Sequence, residues 1–211
     1  MNWNKTSQGE KAPAGSHIAR CVGIVDLGTQ PHVNKHTGEK WAQRDVRITF
    51  ELPNELMQGI YKADLKGKPF GATVTVKQSL HPSAKLTKLL TGWKGAAMDD
   101  TAKQNFNPKS LLGKTCRLNL VEAGDFVNIE SISRLGKGDV CPAQINPTVF
   151  FSLDENEFDP KVLESLPESS RNKIKASPEY LNLTGTGEPG DGGEAPIGTQ
   201  PTEPVDDNMP F

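Results

Sequence analysis

Residues 81–95, H-P-S-A-K-L-T-K-L-L-T-G-W-K-G, decide how the rest of the chain is read. Leu86, Leu89, Leu90 and Trp93 recur at i, i+3, i+4 and i+7, which is the apolar stripe of a helix. Pro82 or Ser83 can open that helix and Gly95 can close it. On both sides the period changes to two. Upstream, residues 17–27 place Ile18, Cys21/Val22, Ile24 and Leu27 as the apolar set of a first strand, with Gly23 inside it where strands bulge. Residues 29–40, T-Q-P-H-V-N-K-H-T-G-E-K, are rich in turn formers. In residues 41–52, Val46, Ile48, Phe50 and Leu52 share one face while Arg47, Thr49 and Glu51 share the other. Val74 and Val76 mark a third strand in 71–80. Downstream, Cys116, Leu118 and Leu120 mark a fourth strand, and the turn Ala123-Gly124-Asp125 leads to a fifth, D-F-V-N-I-E-S-I-S-R-L.

The order is therefore three strands, a helix and two strands. That is the layout of an OB-fold, a five-stranded Greek-key barrel with its helix between strands 3 and 4. An SH3-like barrel or an open α+β sheet shares the order. The expected fold class is all-β, with one or two short helices. Residues 1–15 read as a flexible leader and 16–136 as the barrel. In 137–182, Phe150, Phe151, Phe158, Val162 and Leu163 need cover, so this extension is expected to pack on the barrel. Residues 183–211 read as a disordered acidic tail.

Charge divides the chain. Residues 1–148 hold 20 Lys and Arg against 13 Asp and Glu, a net of +7; residues 149–211 hold 4 against 13, a net of −9. A basic body with an acidic tail points to nucleic acid; simple solubility is the competing reading. From 181 onward there are six Gly, five Pro, six acids and no Lys or Arg, a composition that cannot offset its ordering entropy. No run of about 18 apolar residues exists to span a membrane, and the opening residues lack the apolar stretch of a secretory signal. The three widely spaced cysteines, Cys21, Cys116 and Cys141, suit reduced thiols in a cytoplasm.

The ending, Asp206-Asp207-Asn208-Met209-Pro210-Phe211, resembles the C-terminal tip of bacterial single-stranded DNA-binding proteins, which close on acids, an apolar residue, Pro and Phe. Asn208 departs from that pattern, standing where those proteins carry an acid. The residues around 15–30, 79–95 and 111–121 resemble bacteriophage proteins of the same kind. The resemblance implies a barrel that binds single-stranded DNA in a bacterial host's cytoplasm. It also implies a tip (Asp206, Asp207, Met209, Pro210, Phe211) that recruits enzymes of replication, recombination and repair. Physically, a terminal Phe would fill an apolar pocket while carboxylates meet Lys or Arg on its rim.

Strand binding needs cations for phosphates and exposed aromatics for bases. Trp41 opens the second strand beside Lys40, Arg44 and Arg47, and its parity differs from that of Phe50; the competing reading has it cap the barrel end. Arg44 and Arg47 differ by three, so a regular strand cannot present both on one face, and Arg47 is the one expected on the polar face. Tyr61, Lys62, Lys68 and Phe70 could form a basic flap before the third strand, which carries Lys77. Phe126 in the last hairpin is read either as a stacking residue or as core. Trp93 and Phe50 are read as core.

The histidine pair His32-x3-His36 lies among Pro31, Asn34 and Gly38, which favour a loop over a zinc-binding helix, and no C-x-x-C is present. No G-x-x-x-x-G-K-[ST] occurs. The acids Asp26, Asp45, Glu51 and Asp64 could hold Mg²⁺ in a nuclease but form no motif. The expectation is a binding protein without catalysis, metal or cofactor. A protein-interaction adaptor is the alternative, and oligomeric state stays open.

Overall fold

A computed structural model describes residues 9–124 and 126–186. It contains β1 (Gly15–Val33), β2 (Lys40–Leu56), β3 (Pro69–Lys77), α1 (Lys85–Lys94), α2 (Asp100–Gln104), β4 (Thr115–Ala123), β5 (Phe126–Ser133), β6 (Val149–Phe151), α3 (Pro160–Ser165), α4 (Glu168–Lys175) and α5 (Pro178–Thr184). The chain is β-rich with several short helices, more of them than the one or two expected. The additional ones are α2 and the helices that follow β6.

Five strands pair antiparallel in the order β3-β2-β1-β4-β5, and β6 adds to β1 in parallel. β1 is long enough to serve several partners. Its first residues pair with β4, its later ones with β2, and Gly23–Val25 with β6. Register shifts between Cys21 and Gly23 and between Asp26 and Gly28 bend it, as the sequence suggests at Gly23. Antiparallel pairing throughout makes β3 and β5 run in the same direction as β1. These two outer strands approach one another without sharing a hydrogen-bonded ladder.

The helix stripe lands as its spacing dictates: Leu86, Leu89, Leu90 and Trp93 are all buried in the main core with Val46, Ile48, Phe50, Val74, Val76, Leu118 and Leu120. Trp93 lies 5.3 Å from Phe50, centroid to centroid, and its Nε1 donates to the Thr115 carbonyl at 2.8 Å. Gly95 ends the helix in the left-handed region at φ 72°, the conformation glycine adopts without Cβ strain. Gly92 lets α1 sit directly on β5. A Cβ there would stand 2.2 Å from the Ile132 carbonyl oxygen, so even alanine would push helix and strand apart.

β1 and β2 extend further than their apolar patterns indicate. Residues 29–33, read as turn, continue β1, and the turn itself is only Asn34–Glu39. Pro31 is tolerated because the outer part of the hairpin is a two-stranded ribbon, where β1 has a free edge and needs no second ladder. Asn34 closes the turn, its side chain accepting from the amides of His36 (2.9 Å) and Thr37 (3.2 Å).

A second core, Val25, Leu27, Phe151, Leu153, Leu163, Leu166 and Ile174, joins residues 149–186 to the outward side of β1. Between β5 and β6 a strap runs across the outside of the sheet. Arg117 holds Asp139 at 2.6 Å, and Arg20 donates to the Pro142 carbonyl at 2.6 Å. The Glu51 carboxylate, on a residue 0% exposed, accepts from the amides of Ile145 and Asn146.

Candidate nucleic-acid interface

The strap, β6 and the helices behind it cover the outside of β1 and part of β2. The outside of β5, with Asn128, Glu130, Ser131 and Ser133 exposed, stays open, and so does the outside of β3. Along that strand Phe70, Ala72, Val74 and Val76 point to the core, and Gly71, Thr73, Thr75 and Lys77 are exposed. At about 3.3 Å per residue the strand is roughly 26 Å long. It connects two cationic ends.

At the first end stands the β1–β2 hairpin. Its distal part carries His32, Val33, Lys35, His36, Lys40 and Trp41. Trp41, 43% exposed, is fixed by a ring of contacts. His32 stacks on it at 5.5 Å with planes 15° apart, and the Trp41 Nε1 donates to Gln43 Oε1 at 3.2 Å. Gln43 Nε2 donates to Asp45 Oδ1 at 2.9 Å, and Asp45 Oδ2 meets His32 Nε2 at 2.9 Å. Asp45 is only 2% exposed, so the ring hangs from a buried carboxylate. Strand parity makes the arrangement possible: Trp41, Gln43 and Asp45 share a face, and the register sets His32 opposite Trp41. The indole is held ready with a large part of its surface in solvent.

The hairpin is braced at its base by the C-terminal helices. Glu179 accepts from the Thr29 amide (2.8 Å) and hydroxyl (2.6 Å), and Gln30 Nε2 donates to the Lys173 carbonyl at 3.0 Å. Burial works to raise the Glu179 carboxyl, but the Thr29 hydrogen bonds, together with its own backbone amide and the Arg44 charge, outweigh it and leave it below the ordinary carboxylate range. Gly28, at φ 70°, lies so close to Ser177 that a Cβ would stand 2.4 Å from its hydroxyl oxygen.

At the second end lies the β2–β3 loop with Tyr61 (54% exposed), Lys62, Lys66 and Lys68. Phe126, 74% exposed, begins β5 at this same end of the sheet. Residues 10 and 11 tie the two tips together: Glu10 accepts from the amides of Gln58 (2.6 Å) and Ile60 (2.7 Å), and Lys11 Nζ donates to the Gly124 carbonyl at 3.1 Å. Phe126 is thus a surface residue, not core.

Of the residues singled out from sequence, Lys40, Trp41, Lys77, Tyr61, Lys62 and Lys68 border the open face. Lys40, Lys62, Lys68 and Lys77 form no ion pair among the described residues. Three others are engaged elsewhere. Phe70 belongs to β3 and packs against the main core instead of forming a flap. Arg47 does leave the core face, but its guanidinium donates to Ser170 of α4 at 2.6 Å. Arg44 is bound by Asp26, which pushes the guanidinium pKa up from its ordinary value, and reaches Asp154 at 3.4 Å. Both arginines thus meet the C-terminal extension, although they differ by three.

Three of the four acids weighed as metal ligands have structural partners: Asp26 takes Arg44, Asp45 takes His32 and Gln43, and Glu51 takes the strap amides; Asp64 lies in the exposed β2–β3 loop. No group of three or more His, Cys, Asp or Glu residues fit to hold a metal ion occurs among the described residues. Burial pushes the Cys21 thiol up to about 12 and the Cys116 thiol higher still, so neither supplies a thiolate at neutral pH. No helix among the described residues is long and apolar enough to cross a membrane. The tip residues Asp206, Asp207, Met209, Pro210 and Phe211 lie outside the described residues.

No protein-family model matches the chain, and neither the curated proteins nor the solved structures yield a match.

Proposed function

We propose that the chain is a single-stranded DNA-binding protein whose barrel is of the OB type. The strand order, the like direction of β3 and β5, and the helix laid over the seam between them support that barrel. The observation that carries the functional reading is the open outer face of β3 between two exposed, cation-flanked aromatic ends. Lysines that hold no carboxylate are free to meet phosphates, and Trp41 offers a fixed surface on which any base can stack. Neither contact reads sequence, so binding is sequence-independent and falls with salt as counterions are released. The protein would protect single strands during phage replication or recombination in a bacterial cytoplasm.

The acidic residues beyond 186 take a second role in this reading. Asp206, Asp207, Met209, Pro210 and Phe211 dock on replication, recombination and repair enzymes, as the resemblance of the tip implies. The tail also competes weakly with DNA for the basic face, being tethered to it. Removing residues 187–211 leaves strand affinity unchanged or tightens it; a large loss would contradict the competition.

The deciding test is fluorescence anisotropy with a labelled dT strand at two salt concentrations, with duplex and RNA of equal length as competitors. Salt-sensitive binding that duplex cannot displace supports the proposal. No binding at low salt overturns it and leaves an adaptor that acts through protein contacts alone.

A further inference from the structure

A cavity of about 220 Å³ opens at the end of the barrel where β3 finishes. Its inner wall is Ile24, Ile48, Leu86 and Leu111, all buried, and its mouth includes Gln78 and the partly buried Phe106. Gln78 directly follows Lys77, the last residue of the open face. Its amide donates to the Arg44 carbonyl at 2.8 Å, so the mouth also touches the base of the hairpin. The Gln78 side-chain amide forms no hydrogen bond among the described residues, and Lys77 and Lys85 beside the opening form no ion pair among them.

A planar heterocycle needs apolar walls for its faces and a polar group for its edge. The cavity supplies both: an aromatic ring and aliphatic side chains as walls, and an amide able to donate and accept at the rim. Its volume suits one ring system of nucleobase size, and it continues the β3 face instead of lying apart from it. We propose that it is a base-accepting subsite. One base of the strand lying along β3 turns inward past Lys77 and inserts against Phe106, with Gln78 at its edge and Lys77 and Lys85 near the flanking phosphates. A base in a single strand has no pairing to lose, so insertion costs only its stacking on neighbours. A rotatable amide accepts any base edge, which keeps the subsite compatible with sequence-independent binding. The inference rests on the strand-binding reading.

The test uses the shortest dT strand that retains full affinity, with a single abasic site walked through it. Apart from the base stacked on Trp41, one position is expected to lose about tenfold in affinity, the size of one lost stacking contact, with smaller losses at its neighbours. Phe106→Ala flattens that peak, and so does Ser79→Phe, which fills the mouth without removing core. An abasic profile with no peak beyond the one at Trp41, from a protein that binds the intact strand tightly, would overturn the subsite and leave strand binding standing. An additional peak that survives both variants would also overturn it. Absence of any binding to the intact strand would remove both readings together.

Discussion

β2 and β3 are neighbours, and their outward residues face one another in pairs: Asp45 with Lys77, Arg47 with Thr75, Thr49 with Thr73, Glu51 with Gly71. Both rows are polar and alternate with a buried apolar row. On β2, Asp45 anchors the His32–Trp41 ring, Arg47 meets Ser170, Thr49 sits against Gly23, and Glu51 is sealed under the strap. On β3, one strand away, Gly71, Thr73, Thr75 and Lys77 stay in solvent. The polar half of an alternating pattern thus codes for two different things. It is a docking surface where another part of the chain supplies matching donors and acceptors, and an open surface where none does.

Replacing a residue on each row sharpens that contrast. The largest effect belongs to Glu51→Ala, which strips the acceptor from two strap amides. Leaving them unpaired is expected to cost about 3 kcal/mol of stability in urea denaturation, with strand affinity of the folded protein unchanged. An equal loss of affinity would show that the covered row also serves binding. Next comes Trp41→Ala, expected to weaken dT binding by about 2 kcal/mol while the urea midpoint barely moves. His32→Ala, which removes the ring stacked behind the indole and its contact with Asp45 but leaves the indole itself, should lose less. Unchanged affinity in Trp41→Ala would break the assignment of the hairpin end.

Lys77→Ala is a smaller change. One phosphate contact fewer should lower the slope of log affinity against log salt by about 0.7 with no effect on folding. Arg47→Ala, on the covered row, should leave that slope alone. The smallest effect concerns pH. The depressed Glu179 carboxyl contributes stability that is complete above the ordinary glutamate range, about 4.3, and is lost as pH falls through its lower folded value. Thr29→Val removes the hydroxyl donor and should shrink that acid-side loss; hydrogen exchange at the Thr29 amide between pH 3 and 6 would report it.

Much of the frame was legible because local patterns carry it. The 3.6-residue stripe of Leu86, Leu89, Leu90 and Trp93 and the alternation of Val46 to Leu52 each specify which side faces inward, whatever packs there. Trp41 was legible as an exposed residue by parity alone. Arg44 and Arg47 were not legible: Arg44 pairs with Asp26 beside the β1 bulge, and both reach partners in the C-terminal extension more than 100 residues away, Asp154 and Ser170. Phe106 was missed because it stands in a stretch without periodicity, and only the tertiary fold brings it to the cavity that Gln78 also lines.

The sequence by itself determined the order of the first five strands and α1, the inward residues of α1 and of the second to fourth strands, and the separation of a basic body from acidic residues beyond it. Those properties follow from side-chain period and composition, which act over a few residues. In β1 the expected set was partly wrong, since Ala19 is core, Ile18 is only half-buried and Leu27 packs in the second core on the other side. The tertiary structure alone decided which polar row is covered, which cations are already paired, and how far the first hairpin extends. These depend on contacts between segments distant in the chain, where a buried charge persists only if a partner arrives to satisfy it.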